Sequence, residues 1–258
     1  ITFINLVVFK SDFLRPINTL TFGLINETLI VNIFSLILFV FIIMLKYGRL
    51  NFIDIGIKKN RLLGAIVAIL ILWISMQLFN ILAALIITGK PIVYNGWSKY
   101  GAMKMFGSFI AQLFGNCLFE ELAFRGFLLI QICKKFRNTK GNLFAGIAVS
   151  QLLFALIHIP NRILGGMSVL QIVPSLIIVF MLGVIFAVVY LVTDNIFLTI
   201  GIHALWNTPL LVFDGLSSIY VILAATIILV KFWDKTFAKI GWESSSQLNR
   251  MNRGQFDE

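Results

Sequence analysis

The apolar run 105–132, which reads MFGSFIAQLFGNCLFEELAFRGFLLIQI, carries two glutamates and an arginine near its middle. These three residues, Glu120, Glu121 and Arg125, are the charges of this chain that lie inside a long apolar run rather than at its ends. Moving one ionisable side chain to the centre of a bilayer costs at least about 2.5 to 3.5 kcal/mol on insertion scales. Three of them so close together therefore indicate a functional site within a membrane.

The composition of the whole chain also predicts a membrane protein. Hydrophobic residues make up 59% of the 258 residues, charged residues make up 12%, and the mean hydropathy is +0.97. Such a chain has too few polar residues to cover a soluble surface. We expect a single membrane domain over residues 1–258, with an N-terminal segment at 1–27 and a cytoplasmic tail at 231–258. The net charge of +10 is spread over the loops, so it does not indicate a nucleic-acid partner.

Seven apolar runs are each near the length of about 20 residues that a transmembrane helix needs. They cover residues 28–45, 62–89, 105–132, 141–159, 170–193, 195–213 and 217–230. The expected fold is therefore all-α, a polytopic bundle of about seven transmembrane helices. The apolar stretch 1–9 fits either a truncated helix or an interfacial segment. Asp194 is expected to lie at a solvated break between two helices.

Lys and Arg are distributed unequally over the predicted loops. The loops 46–61 and 133–140 and the tail after residue 230 together hold fourteen of the 21 Lys and Arg, whereas the alternate loops hold six. Cytoplasmic loops are enriched in these residues. The first set is therefore expected in the cytoplasm, together with the C-terminus.

Glu121 and Arg125 are four residues apart, and residues at this spacing share one face of an α-helix. They predict an intrahelical ion pair, and a structural role in locking neighbouring helices fits them as well as a role in a site. Glu120 points about 100° away, to a neighbouring face. The two cysteines, Cys117 and Cys133, lie too far apart along one helix to form a disulfide, so we expect free packing thiols.

The two histidines of the chain lie in two further apolar runs. His203 and Asn207 are four residues apart on one run, and His158 follows Phe154 at the same spacing on another. A single buried histidine is often only a hydrogen-bonded core residue, Asn207 alone fits an interhelical hydrogen bond, and Phe154 fits packing. Together with Glu120, however, the polar side chains can converge from three helices on one pocket that holds a water and polarises a carbonyl.

Three motifs in this order resemble those of a known family. Glu-Glu-x-x-x-Arg at 120–125, followed by Gly126, then Phe-x-x-x-His at 154–158 and His-x-x-x-Asn at 203–207, are similar to the motifs of the CPBP family. This family comprises the CAAX proteases and bacteriocin-processing enzymes, also called Abi proteins. The matching core runs from about residue 107 to 211. The chain length, short loops and Ile-, Phe-, Lys- and Asn-rich composition look like those of a bacterial member.

The resemblance implies an intramembrane glutamate protease that hydrolyses peptide bonds without a metal or another cofactor. Carried over by motif, Glu120 is the general base that activates water, and His158 helps to hold that water. His203 and Asn207 stabilise the oxyanion of the tetrahedral intermediate. Hydrogen-bond donors fixed in a low-dielectric pocket stabilise such developing charge strongly.

The same resemblance implies that Glu121 and Arg125 position the site or the substrate. The implied partners are membrane lipids and a peptide or protein substrate that enters from the membrane or from its cytoplasmic face. The implied location is a bacterial cell membrane. Because apolar surroundings must still admit water, we expect a cavity that opens to one membrane face.

Other functions fit the same residues. One Glu and two His are a known catalytic zinc set, although the chain lacks an HExxH motif. A bacteriocin self-immunity factor that acts by binding and a proton-coupled carrier are nonenzymatic alternatives. A carrier would show repeated halves or helices broken at equivalent positions, and the sequence shows neither. A protein that only binds would tolerate the change Glu120→Gln.

Overall fold

The computed structural model of this protein describes residues 13–136, 142–215 and 218–237. Within these residues the chain is helical, apart from turns, loops and one isolated bridge between Val93 and Phe213. The all-α class predicted from the sequence is confirmed. The apolar stretch 1–9, the second half of the loop 133–140 and the tail beyond residue 237 lie outside the described residues.

Helices of very different length make up this part of the chain. Their bounds are α1 (Arg15–Leu20), α2 (Glu27–Tyr47), α3 (Leu62–Thr88), α4 (Gly96–Tyr100), α5 (102–135), α6 (Asn142–Leu156), α7 (Ile159–Leu164), α8 (Val169–Thr193), α9 (Ile196–Asn207) and α10 (Ser218–Phe237). A single 3₁₀ turn leads into α3, and wide π-type turns occur in the second half of α2 and within α5.

Four helical stretches are long and apolar enough to cross a membrane. They are Glu27–Tyr47, Lys59–Thr88, Leu143–Leu164 and Val169–Thr193. At most 39% of the most apolar window of each is buried inside the protein, so their outer faces present apolar side chains to lipid. This is the pattern of an integral membrane protein. The predicted count of seven crossing helices is not confirmed.

Helix α9 is the element that departs most from a membrane-crossing helix. It has 12 residues, which span about 18 Å, whereas the hydrocarbon core is about 30 Å thick. Nine of these 12 residues are buried, and the helix packs against α3, α5, α8 and α10. It is thus a central helix enclosed by the others. The apolar run 195–213 resembles a crossing helix in sequence, because a helix buried in protein and a helix that spans a membrane are both apolar on all faces.

The predicted helix 195–213 ends early, at Asn207. Pro209 explains this end, because the residue before a proline is disfavoured in the α conformation. The segment 208–215 leaves the helix axis and turns back against α3. Its backbone is held by side chains of α3 and by the segment 93–97. The hydrogen bonds join Trp73 Nε1 to Leu210 O (3.1 Å), Gln77 Oε1 to Val212 N (3.1 Å), Asn80 Nδ2 to Phe213 O (3.0 Å), Trp97 Nε1 to Leu211 O (2.6 Å) and Tyr94 N to Val212 O (2.9 Å).

The predicted helix 141–159 is broken rather than continuous. Its helical part ends at Leu156, and His158 lies in the turn before α7. Pro160 occupies the first turn of α7, where its missing N–H removes no helical hydrogen bond. His158 is therefore placed by a turn between two helices, not by the middle of a helix.

At the opposite end of the bundle, Asp194 joins three segments of the chain. It has a left-handed φ of 49° and ends α8, directly before α9. The break predicted there is present, but the side chain is buried rather than solvated, with 2% of its surface exposed. Lys58 Nζ lies 2.6 Å from its Oδ2, and Arg61 Nη2 lies 3.7 Å from the same oxygen. The loop before α3 is thus fixed against the turn between α8 and α9.

Candidate active site

Glu120 and Glu121 lie near the middle of α5, between two stretches of wide turns at 112–116 and 122–129. Wide turns contain an extra residue, so they change the direction of the side chains that follow, and they are frequent at functional sites. Glu121 and Arg125 are fully buried, whereas 8% of Glu120 is exposed. Of the three charged side chains, Glu120 is the one that reaches a cavity.

Glu121 joins Arg125 to His203. Arg125 Nη1 donates a hydrogen bond to Glu121 Oε1 over 2.9 Å, within one turn of α5. The same oxygen lies 2.7 Å from Nδ1 of His203 in α9. Arg125 Nη2 also donates to the carbonyl of Gly183 in α8, over 3.3 Å. The ion pair at four-residue spacing therefore ties α5 to two other helices, and its carboxylate contacts one of the two histidines.

Glu120 lies between the two histidines. Its Oε1 is 4.0 Å from His158 Nε2, and its Oε2 is 3.7 Å from His203 Nε2. Both separations are longer than a direct hydrogen bond, and a water in the adjoining cavity can contact both atoms of a pair from the side. The structure thus brings one carboxylate and two imidazoles together from α5, from α9 and from the turn before α7.

Hydrogen bonds on the far side of each ring decide which nitrogen faces Glu120. His158 Nδ1 lies 2.8 Å from the carbonyl oxygen of Phe154, and a carbonyl only accepts, so Nδ1 carries a hydrogen. His203 Nδ1 faces the ion-paired carboxylate of Glu121 and donates to it in the same way. Each ring therefore turns its Nε2 toward Glu120. In the neutral form that nitrogen has a free lone pair.

Phe154 forms one wall of the site. Its ring centroid is 4.2 Å from Cζ of Arg125, 4.9 Å from the ring of His158 and 6.4 Å from the ring of His203. The guanidinium over an aromatic face is a favourable arrangement, more so away from water. Phe186 packs on the ring of His203, and the centroids of these two rings are 4.7 Å apart. Phe154, which sequence reasoning treated as packing, also fixes His158 through its backbone carbonyl.

Asn207, the last residue of α9, is held by a residue that sequence reasoning missed. Its Nδ2 donates to Oε1 of Gln112 over 2.9 Å. Cys117 is buried between them, with Sγ 3.6 Å from each of these two atoms. The thiol predicted to be a packing residue therefore lies at the edge of the site. The available signal was that Gln112 is an uncharged polar residue in the same apolar run as Glu120.

Two glycines let the backbone approach the site closely. A Cβ on Gly126 would overlap the carbonyl oxygen of Ile55, so the glycine that follows the first motif admits the loop before α3. A Cβ on Gly183 would lie 2.9 Å from Gln151 Oε1 and 3.3 Å from Arg125 Nη2. The absence of a side chain at Gly183 is what permits its carbonyl to accept from the arginine.

Two cavities meet at Glu120. Their volumes are about 630 Å³ and 300 Å³, and both are lined by Asn116, Glu120 and His158. The larger cavity lies between α2, α5 and α7, and its wall is rich in polar side chains: Thr28, Asn32, Gln112 and Asn161. The smaller cavity lies against α8 and α9, and it contains the remaining site residues His203 and Asn207. A substrate could thus contact Glu120 from either side.

The described residues do not provide a set of three His, Cys, Asp or Glu side chains arranged around a metal ion. Glu120, His158 and His203 come closest in composition, and their separations of 3.7 and 4.0 Å fit a shared water. Metal independence stays a prediction.

Part of the chain is similar to a known protein family. No curated protein and no solved structure showed a significant match. Residues 102–209, which hold all three motifs and less than half of the chain, match the family described as type II CAAX prenyl endopeptidase Rce1-like. The match confirms the resemblance that the motifs gave, since residues 102–209 are similar to the CAAX proteases.

Proposed function

We propose that this protein is an intramembrane endopeptidase of the glutamate type, which hydrolyses a peptide bond in a membrane-associated peptide or protein without a metal. The observation that carries the proposal is the position of Glu120. Its carboxylate lies 4.0 Å from His158 and 3.7 Å from His203, at the junction of two cavities. A base, a gap that suits one water and room for a substrate are the parts that this hydrolysis needs.

In the proposed reaction, a water bound between Glu120 Oε1 and His158 Nε2 is the nucleophile. Nε2 of neutral His158 accepts one O–H of this water, because Nδ1 holds the hydrogen that points to the Phe154 carbonyl. Glu120 accepts the other proton as the water oxygen bonds to the carbonyl carbon of the substrate. The π electrons of the carbonyl move to its oxygen, which becomes the oxyanion.

Asn207 and His203 are the proposed donors to that oxyanion. Asn207 Nδ2 carries two hydrogens. One is donated to Gln112, and the other, which lies near the weakly accepting thiol of Cys117 at 3.6 Å, can be donated to the substrate instead. His203 can donate from Nε2 when it holds a second proton. In that form, Arg125 and His203 would balance the charges of Glu120 and Glu121. Donors fixed at the position of developing charge lower the barrier strongly.

The intermediate then breaks down with the proton that Glu120 received. The oxyanion re-forms the carbonyl, the bond to nitrogen breaks, and protonated Glu120 delivers its proton to the leaving amine. The products are a carboxylic acid and an amine, and the base is restored. Glu121 and Arg125 do not touch the substrate in this scheme, and they position His203 through the hydrogen bond of 2.7 Å.

We further propose a single membrane domain of about seven membrane helices, in which the short, enclosed α9 does not cross the membrane on its own, with a cytoplasmic C-terminus and a location in a bacterial cell membrane. The cavities lie toward the end of the bundle where α2 and α8 begin and where α6 and α9 end. The cation-rich loop 46–61 and the end of α10 lie at the other end. With that loop in the cytoplasm, the site is nearer the opposite membrane face, so a route from within the membrane, between α2 and α7, fits better than one from the cytoplasm.

The experiment that tests the proposal compares peptides in cells that contain the wild type or Glu120→Gln. Peptides released only by the wild type identify the substrate, and purified protein should then cleave it in detergent. Chelators should leave this cleavage intact. Zinc at one equivalent, with activity lost on its removal and restored by its return, would support a zinc hydrolase instead. Unchanged biological activity of Glu120→Gln would support a protein that acts by binding.

A further inference from the structure

Arg162 in α7 is a cation without a counter-ion among the described residues. Arg125 pairs with Glu121, and Arg61 pairs with Asp194. The Arg162 side chain takes part in no ion pair or hydrogen bond of the described part of the chain, and its Nε is buried without an acceptor. A buried donor that lacks an acceptor is unfavourable. The rest of the guanidinium is partly exposed and can bind an acceptor that a ligand brings.

The guanidinium faces the proposed reaction site. Arg162 lines the 300 Å³ cavity together with Glu120, His158, His203 and Asn207. It follows His158 by one helical turn, and its backbone N–H donates to the carbonyl of His158 over 3.1 Å. A ligand in this cavity can therefore reach the arginine and the water site at once.

The charges along the cavity impose a direction on an anionic ligand. The Glu120 carboxylate repels an anion, and Arg162 attracts it. The wall of the cavity has a polar part and an apolar part, and the apolar part includes Ile178, Val179, Leu182, Phe186 and Trp206. This lining suits a ligand that has an apolar part and carries one negative group. The planar fork of an arginine matches both oxygens of a carboxylate.

We propose that Arg162 is an anion-binding residue that takes a carboxylate of the substrate peptide. The proposal rests on the proposed function, since the ligand is the substrate of that site. The carboxylate can belong to the C-terminus of the peptide or to an Asp or Glu side chain, because the chemistry of both groups is the same. A lipid phosphate is a different ligand, and the position of Arg162 on the wall of the cavity that also holds Glu120 favours the substrate over a headgroup outside it.

The first test measures binding to the purified full chain in a neutral detergent, so it requires no turnover. Dodecanoate and dodecanamide are matched probes that differ in charge. The wild type should bind dodecanoate roughly ten- to a hundredfold more tightly, the size expected for a hydrogen bond to a charged group. Arg162→Gln should bind both probes equally, and Arg162→Lys should keep part of the preference. Lys104→Gln removes a cation that lines a different cavity and should change nothing.

An equal affinity of the wild type for both probes would overturn the proposal, and so would a preference that survives in Arg162→Gln. Dodecyl phosphate distinguishes the lipid ligand. If it alone bound through Arg162, while the two other probes bound equally, the residue would be a headgroup site and not a substrate site. Arg162→Lys keeps the test valid if Arg162→Gln fails to fold.

The second test uses the substrate found by comparison with Glu120→Gln. Replacing its C-terminal carboxylate by an amide, or its acidic side chains by Asn or Gln, identifies which carboxylate binds Arg162. The effective change should raise KM about tenfold or more for the wild type with little change in kcat, and it should have no effect on Arg162→Gln. A protein that cleaves without such a dependence refutes the anion site and leaves the proposed protease intact. If Glu120→Gln still cleaved, the proposed function would fail separately.

Discussion

Glu121 Oε1 lies 2.7 Å from Nδ1 of His203, and the same oxygen accepts from Arg125 over 2.9 Å. One carboxylate thus neutralises a buried guanidinium and orients an imidazole. We expect Glu121→Gln to lower the free energy of unfolding by about 3 to 5 kcal/mol, because it leaves Arg125 as an uncompensated buried charge. The measurement is thermal or denaturant unfolding in detergent, and a Tm equal to that of the wild type would contradict this role.

Glu120→Gln should behave differently from its neighbour. The carboxamide preserves the shape of the side chain, and Glu120 has no ion pair with Arg125 to lose. Turnover should fall by about 10² to 10⁴, the contribution of a general base, while the unfolding transition stays close to that of the wild type. Single-turnover cleavage and unfolding on one preparation test both statements. Retained proteolysis would show that Glu120 is not the base.

Asn207→Ala should lower kcat by roughly 10² to 10³ with little change in substrate affinity, as expected for the loss of an oxyanion donor. Asn207→Asp should be no better if the introduced carboxylate is ionised, because it would repel the oxyanion.

Gln112→Ala should give a smaller fall of kcat, because Gln112 Oε1 fixes Asn207 over 2.9 Å without touching the substrate. Gln112→Glu keeps the acceptor and should recover part of the loss. If all these variants lost stability but kept activity per folded molecule, the two residues would be structural.

Much of the site followed from the sequence because its three motifs are each short and local. The ion pair of Glu121 with Arg125 follows from helical spacing alone. The contact of Glu121 with His203 does not, since it joins residues 82 positions apart. Gln112 is visible as a polar residue in an apolar run, but its contact with Asn207 is not predictable in this way, since it joins residues 95 positions apart. The wide turns at 112–116 and 122–129 alter the angular register that a regular period of 3.6 residues assumes.

The fold was predicted less completely than the site, and for physical reasons. Hydropathy finds the apolar runs but does not separate a helix that faces lipid from a helix that faces protein, so the buried α9 was counted as a crossing helix. The helix ends at Asn207 and Leu156 are explained by Pro209 and Pro160, and the sequence-based prediction did not take these prolines into account. The sequence does not predict that Asp194 is buried, because the cations that pair with it, Lys58 and Arg61, come from the loop before α3.

Gly183→Ala should destabilise the protein and disturb the site. The new methyl group would lie 2.9 Å from Gln151 Oε1 and 3.3 Å from Arg125 Nη2, and it would push α8 from the arginine. Overpacking of this kind costs about 1 to 3 kcal/mol. Gly165→Ala is a matched control, because that glycine has an ordinary φ of −75° and meets no atom closer than 3.3 Å. Equal unfolding curves for the two variants would refute the close approach.

The orientation is tested with single cysteines at Asn51 and Lys90, both of which are exposed. Cys117 and Cys133 are buried and can be replaced by Ala for this purpose. An impermeant thiol reagent added to intact cells should modify Lys90→Cys and spare Asn51→Cys until the cells are opened. The loop 46–61 carries five Lys and Arg, which favours its cytoplasmic location. Labelling of Asn51→Cys in intact cells would show that the orientation is the opposite of the one proposed.

The hydrogen bonds that α3 makes to the segment 208–215 have a consequence for a shortened form of this protein. Asn207 ends its helix immediately before that segment, and Trp73, Gln77 and Asn80 hold the segment from a helix that lies outside residues 102–209. A protein cut down to 102–209 would keep every motif residue and lose the support of one of them. The three motifs thus all lie within residues 102–209, whereas the segment that follows the last of them is held by α3, a part of the protein that carries no motif.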